Sequence, residues 1–301
     1  VIAKRLGHFY HNEQVEACLQ FFEGRETAMA SYVPPMLRRP FYCAGCPHNT
    51  STKVPKNSFA MAGIGCHFMV QWMDRNSALP THMGGEGIPW IGSSAFTKQK
   101  HIFTNLGDGT YFHSGSLAIR AAVASKIDIT YKILYNDAVA MTGGQTVDGD
   151  LPVYRVAQQV VSEGVTKVWI LTENLENYKD RSLIPSEVEI LSRDYLDKVA
   201  KQCQDTKGTT VIIYDQTCAA EKRRRRKRGE FPDPAKRVMI NQAVCEGCGD
   251  CSDQSNCVAV QPVETEYGRK RKINQSACNK DFSCLKGFCP SFVTIEGGEL
   301  R

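Results

Sequence analysis

Apolar positions along the first part of the chain recur at helical spacing. Val15, Leu19 and Phe22, within Asn12–Glu23, predict an amphipathic helix. Pro34, Pro35 and Pro40 then break the chain before Cys43. Beyond them, short apolar runs alternate with helical patterns. Phe59–Gly63, His101–Leu106, Ile129–Tyr135, Lys167–Leu171 and Thr209–Tyr214 read as strands. Cys66–Met73, Ser114–Ser125, Val153–Ser162 and a long Ser186–Gln202 read as helices. Strands that are apolar throughout and separated by helices predict an α/β fold, a parallel sheet with helices on both faces.

Composition adds little to this picture until the charge is located. At 301 residues the chain is long enough for more than one domain. Its 42% hydrophobic and 23% charged content is that of a globular protein, and no apolar run reaches the length of a membrane span. The net charge of +5 comes from one run, Lys222-Arg223-Arg224-Arg225-Arg226-Lys227-Arg228; the remainder is slightly acidic. With Gly229, Pro232 and Pro234 after it, the run reads as a solvated linker. Without interleaved aromatic residues it is a poor nucleic-acid patch, so no nucleic-acid partner is expected; it could instead steer an acidic protein partner or the phosphates of a ligand. The resulting division is a helical lead-in over residues 1–40, an α/β domain over 41–221, a basic linker over 222–237 and a small domain over 238–301. The start at Val1, with no Met and no signal peptide, reads as that of a piece cut from a longer polypeptide.

The small domain is defined by cysteines. Seven fall between residues 245 and 289, in two blocks: Cys245, Cys248, Cys251 and Cys257, then Cys278, Cys284 and Cys289, the last followed by Pro290. C-x2-C-x2-C with a more distant Cys is similar to the pattern by which two-cluster bacterial ferredoxins hold [4Fe–4S] clusters. Zinc is the competing reading, although it favours two separate pairs over a triplet with an offset fourth residue. Disulfides are disfavoured, and a reducing, cytoplasmic compartment is expected. In the ferredoxin arrangement the fourth Cys of each block ligates the other cluster. That groups Cys245, Cys248, Cys251 and Cys289 around one [4Fe–4S] cluster, and Cys257, Cys278 and Cys284 around a second. Asp281 stands where the second block's middle cysteine would be. It reads as a fourth ligand, leaving a [4Fe–4S] or [3Fe–4S] cluster, or as a solvated loop acid.

Upstream, Gly107-Asp108-Gly109 follows a predicted strand, and Ser114 opens a helix. A strand, a glycine-rich turn and a helix N-terminus can bind phosphate through backbone N–H groups. Asp108, with Asn136 at the end of the next strand, offers oxygen ligands to a hard divalent cation such as Mg2+. In a parallel sheet both residues fall at the carboxyl edge, where ligands bind.

Gly107-Asp108-Gly109 with Asn136 resembles the diphosphate–magnesium motif of thiamine-diphosphate enzymes. The run from Tyr135 to Gln145, which includes Gly143, resembles the matching loop of the 2-oxoacid:ferredoxin oxidoreductases. Cys43-Ala44-Gly45-Cys46-Pro47-His48 and Gly63-Ile64-Gly65-Cys66 also resemble segments of that family. The nearest branch is the one acting on aryl pyruvates of the indolepyruvate type, whose thiamine domain is followed in the same chain by a ferredoxin-like α+β domain.

The resemblance implies Mg2+ held by Asp108, Asn136 and the backbone carbonyl of Ala138. It places Cys46, His48, Gly65, Gly107, Gly109, Ser114 and Gly143 around thiamine diphosphate. It also implies a possible third [4Fe–4S] site at Cys43, Cys46, Cys66 and Cys218. His67 and His113 are further candidates for diphosphate or substrate contact. Glu86, in a Gly-rich loop, is not assigned as the catalytic acid, because the activating glutamate of such enzymes comes from a pyrimidine-binding domain. That domain and a gamma-type domain would lie elsewhere, in an oligomeric assembly. The implied reaction is oxidative decarboxylation of an aryl pyruvate to an acyl-CoA, with ferredoxin taking single electrons. The alternatives are an electron-carrier subunit without catalysis and a non-oxidative thiamine-dependent decarboxylase. Cys18 and Cys203 read as packing residues.

Overall fold

A computed structural model describes residues 2–32, 39–147, 149 and 151–297. Pro34 and Pro35, expected to break the chain, lie outside the described residues. The chain divides into two compact units, Val1–Pro40 and Phe41–Arg301.

The first unit holds helices Ile2–Leu6 and Glu13–Ser31, neither of which buries a residue. Asn12 caps the second helix, its side-chain oxygen accepting from the N–H groups of Gln14 and Val15 at 3.0 and 3.2 Å. No proline interrupts the sequence from Asn12 to Ser31, so the helix runs two turns past the predicted Glu23.

The second unit is built on a seven-stranded parallel sheet. Its strands are β1 (Ala60–Met61), β2 (Ser77–Ala78), β3 (Ile102–Gly107), β4 (Ile129–Tyr135), β5 (Lys167–Thr172), β6 (Glu189–Ser192) and β7 (Thr209–Asp215), in the order β2-β1-β3-β4-β7-β5-β6. Alternation along each central strand feeds two apolar layers. Ile129, Tyr131 and Ile133 of β4, with Val211 and Ile213 of β7, pack against helices Ser116–Ala124 and Val153–Ser162. Leu134, Ile212, Tyr214, Trp169 and Leu171 face the other way, onto helix Leu196–Asp205. At about 1.5–3 kcal/mol for each large apolar side chain taken fully out of water, these layers hold the sheet together. Among the described residues, no helix is long and apolar enough to cross a membrane.

Two sequence expectations are corrected here. The predicted long helix Ser186–Gln202 is strand β6, a 3-10 turn Arg193–Tyr195 and helix Leu196–Asp205. Glu187-Val188-Glu189-Ile190 alternates polar with apolar at strand period, and the edge of β5 captures it through pairs such as Ile170 with Ile190. The basic run is likewise no extended linker, because Ala219–Lys227 is an α-helix. Several of its cations are engaged within the chain. Lys222 pairs with Glu173, Arg225 Nη1 lies 2.6 Å from Asp137 Oδ2, and Arg226 Nη1 donates to the Asn279 carbonyl at 2.9 Å. Two smaller differences concern local helix type. Cys66–Trp72 winds as a 3-10 helix, and a π-helical turn, Tyr111–Gly115, precedes the α-helix that begins at Ser116.

The cysteine-rich segment forms two antiparallel ribbons. In one, β8 (Lys236–Ile240) pairs with β11 (Phe292–Glu296); in the other, β9 (Val260–Thr265) pairs with β10 (Gly268–Ile273). Ile240, Cys245 and Val260 form their shared small core, with Cys251, Cys257, Cys284 and Phe292 against it.

Candidate functional site at the carboxyl edge of the sheet

The strand register brings the candidate residues level with one another. Gly107 pairs with Leu134, Tyr135 with Asp215, and Thr172 with Asp215, so β3, β4, β7 and β5 end together. Asp108 and Asn136 follow directly from two of those ends, and Cys218 lies three residues past the end of β7. Asp108 is 4% exposed. Its Oδ1 accepts from Gly109 N at 2.9 Å, and its Oδ2 accepts from Asn136 N at 3.0 Å and Asp137 N at 2.9 Å. Burial pushes its carboxyl pKa up to about 6, with those N–H groups opposing. Asn136 Oδ1 accepts from Ala138 N at 3.2 Å, which folds the Asn136–Ala138 turn over the carboxylate. Cys218 N–H donates to the Asn136 carbonyl at 2.9 Å. A cysteine of the proposed third cluster is thus bonded to the backbone of the residue that would hold the cation.

Beside this edge, glycines let the backbone come close. A Cβ on Gly63 would lie 2.2 Å from the Asn105 carbonyl, and one on Gly65, at φ +149°, would lie 2.8 Å from the His67 ring. His67 Nε2 is buried without a hydrogen-bond partner among the described groups. The rings of His67 and His48 meet edge to face, 5.6 Å apart. Burial is the main force holding both imidazoles neutral, at about 3 and about 4; the Lys132 charge adds to it in both, and for His67 its neighbour His48 as well. Glu86 is also buried; its Oε2 accepts from Gly84 N at 2.7 Å, and its Oε1 has no hydrogen-bond partner among the described residues.

The other predicted cofactor residues lie around the same edge. Gly109 opens toward Val139, and Ser114 Oγ lies 2.8 Å from His113 Nδ1. Gly143, at φ +123°, sits in a turn closed by Gly144 N–H to the Val139 carbonyl, and its own carbonyl accepts from Arg224.

The thiols fall into groups. Cys43, Cys46, Cys66 and Cys218 are neighbours: burial is the larger cause of the raised pKa of the first three and lifts Cys66 to about 11, while Cys218 adds to all three shifts and Cys43 to those of Cys46 and Cys66. Burial likewise raises Cys257 and lifts Cys284 to about 12, with Cys278 adding to both and Cys257 to Cys284. Cys245 and Cys248 act on Cys251. Cys289 Sγ is 3.0 Å from Ser291 Oγ. Asp281 is close enough to add to the shifts of Cys257 and Cys284, while its Oδ1 lies 2.7 Å from Arg193 Nη1. Among the described residues, no three His, Cys, Asp or Glu side chains converge tightly enough to hold a single metal ion.

Comparison with known proteins bears on this geometry. Residues 63–214, which run from just after β1 into the end of β7 and contain Asp108 and Asn136, match the thiamine pyrophosphate enzyme C-terminal TPP-binding domain. The chain belongs to the thiamine pyrophosphate enzymes. It is 24% identical to indolepyruvate oxidoreductase subunit IorA of Thermococcus kodakarensis over 304 residues, and 26% identical to that of Archaeoglobus fulgidus over 279. These alignments cover 90% and 87% of this chain but 42% and 40% of the relatives, so the chain spans about two fifths of their length. A solved 2-oxoglutarate:ferredoxin oxidoreductase from Magnetococcus marinus superposes with a TM-score of 0.44 at 17% identity, covering 67% of each chain.

For a thiamine pyrophosphate enzyme, the residues present fit the cofactor. The Asp108 carboxylate is buried, and no lysine or arginine among the described residues pairs with it. A divalent cation would supply that missing charge and draw the carboxyl back to its ionised form. Sequence reasoning missed two contributors: Lys132, a lone cation inside the apolar strand Ile129–Tyr135, and Arg193, hidden within a segment read as helix. Lys132 carried a visible signal, since lysine is rarely buried unpaired.

Proposed function

We propose that this chain carries the thiamine-diphosphate and iron–sulfur half of a 2-oxoacid:ferredoxin oxidoreductase acting on aryl pyruvates of the indolepyruvate type. The observation that carries the reading is the place of Cys218: its backbone N–H is bonded to the Asn136 carbonyl, and its thiol lies close enough to Cys43, Cys46 and Cys66 to act on all three, so a group of thiols stands beside a buried carboxylate–amide pair. A non-oxidative decarboxylase needs no thiols there, and an electron carrier needs no Asp108–Asn136 pair.

In this reading Asp108, the Asn136 side chain and the Ala138 carbonyl hold Mg2+. The turns at Gly65, Gly107–Gly109 and Gly143 let backbone approach the diphosphate. Thiamine diphosphate, when bound, supplies the electron sink for loss of CO2. His48 and His67, kept neutral by burial, can donate or accept a proton at the cofactor's edge without adding charge. The groups Cys43/Cys46/Cys66/Cys218, Cys257/Cys278/Cys284 and Cys245/Cys248/Cys251/Cys289 would each hold a cluster and pass single electrons to ferredoxin. Coenzyme A, a pyrimidine-binding domain with its glutamate, and a gamma-type domain complete the assembly, and the location is cytoplasmic.

The test is iron and labile-sulfide analysis of anaerobically purified chain. Near-equal iron and sulfide, sufficient for three clusters, is the expected result. Zinc in place of iron, or no labile sulfide, would sink the iron–sulfur part of the reading.

A further inference from the structure

Asp281 occupies the place where the second cysteine block lacks its middle thiol, yet its carboxylate is already taken. Oδ1 accepts from Arg193 Nη1 at 2.7 Å and from Gln216 Nε2 at 2.8 Å, while Oδ2 accepts from Ser283 Oγ. Arg193 Nη2 donates to the Asp281 carbonyl at 3.0 Å, and its Nη1 also meets Gln216 Oε1 at 2.9 Å. Both members of the ion pair are nearly buried, with side-chain exposures of 11% and 9%. The partners come from the sheet: Arg193 begins the turn after β6, and Gln216 follows β7, two residues before Cys218.

We propose that Asp281 is a positioning residue that clamps the Cys257/Cys278/Cys284 group to the carboxyl edge of the sheet, and that it is not an iron ligand. This rests on the iron–sulfur reading above. A guanidinium and an amide fill Oδ1 and a hydroxyl takes one site of Oδ2, so three of the carboxylate's roughly four lone-pair sites are engaged and Arg193 balances its charge. Turning it toward iron would leave Arg193 buried and unpaired, which is strongly destabilising.

What the clamp positions is visible next to it. Gly45 N–H donates to Cys257 Sγ at 3.3 Å, and Asn279 Nδ2 donates to the Ala44 carbonyl at 2.8 Å. The Cys43–Cys46 turn and the second tail group therefore share one peptide as a wall. Gly45 is at φ +65°, and a Cβ there would lie 3.0 Å from Asp281 Cβ, so the fit depends on Asp281 staying in place. The consequence is a three-thiolate site whose distance from the thiols nearest the cofactor is set by Arg193 and Asp281 together.

The test compares Asp281→Asn with Arg193→Gln in the full chain, by hydrogen exchange and by electron paramagnetic resonance of anaerobic and air-titrated samples. The clamp predicts the same phenotype for both. Exchange at Cys43–Cys46 and Asn279–Ser283 should accelerate by roughly a hundredfold in each variant. Magnetic coupling between the reduced neighbouring clusters should weaken in each, and the three-iron signal of Asp281→Asn should match that of Arg193→Gln. The proposal is overturned if Asp281→Asn alone alters the three-iron signal while Arg193→Gln matches wild type, or if neither variant changes exchange. Wild-type protein free of cluster iron would refute the iron–sulfur reading separately, and the clamp would then stand or fall on the exchange data.

Discussion

Replacing Lys132 with Met tests how burial at the base of the site sets its charges. Lys132 is 1% exposed in the middle of β4. Its ammonium donates to the carbonyls of Ser51 and Lys53 at 2.8 and 3.1 Å and lies 5.7 Å from the centre of the Phe103 ring. Burial first, then the nearby Arg75 charge, press its pKa from 10.5 down to about 7. In the unfolded chain it keeps its proton up to the ordinary value. Between those two pH values the unfolded state binds more protons than the folded one, so stability rises with pH. At about 1.4 kcal/mol per pH unit, and with the folded group half titrated at the start, wild type should gain roughly 2 kcal/mol between pH 7 and 9 from this group. Lys132→Met removes that gain and keeps most of the side-chain volume. The assay is urea unfolding of both proteins, reduced and free of cofactor, at pH 7, 8 and 9. The difference curve isolates Lys132 from every titration the two share, and the variant should be relatively most stable at pH 7. Parallel curves would refute the reasoning and mean that the ammonium is balanced in the fold. A further consequence reaches the site: without the Lys132 charge, His48 and His67 lose one of the forces that keep them neutral.

Gly45→Ala should lower stability by roughly 1–3 kcal/mol, because alanine at φ +65° is strained and its methyl meets Asp281; an unchanged urea midpoint would contradict the close approach of the two cysteine groups. His48 and His67 should stay neutral from pH 5 upward, since their pKa values lie at about 4 and about 3. Imidazole nitrogen resonances recorded across that range check this, and a titration near 6.5 in either ring would contradict their burial.

The parallel sheet was legible because its strands are buried on both faces and read as apolar runs. Ile129–Tyr135 and Val153–Ser162 were read to the residue, where an uninterrupted apolar run and a clean 3.6 period left little choice. Ser186–Gln202 was not, because Glu187 to Leu191 is decided by pairing with β5, a contact no local pattern carries. The basic run misled for a related reason. Seven adjacent cations look solvated in sequence, but Glu173, Asp137 and the Asn279 carbonyl, distant in the chain, receive Lys222, Arg225 and Arg226. Asp108 and Asn136 were legible as a pair since both end strands. The bond between Asn136 and Cys218 was not, since it depends on β7 lying beside β4 after two intervening strands. Spacing alone ranks Asp281 with the cysteines; its ion pair with Arg193 was not legible, because Arg193 arrives from a turn in the α/β part.

The most direct measurement of the central claim is calorimetric titration of thiamine diphosphate into the anaerobic full chain, with and without Mg2+, for wild type and Asp108→Ala. The account predicts binding to wild type that requires Mg2+, and loss of that binding in Asp108→Ala while its circular dichroism stays that of the wild-type fold. Equal affinity in the two proteins, or affinity indifferent to Mg2+, would contradict the assignment of Asp108 and Asn136 as the seat of the cofactor.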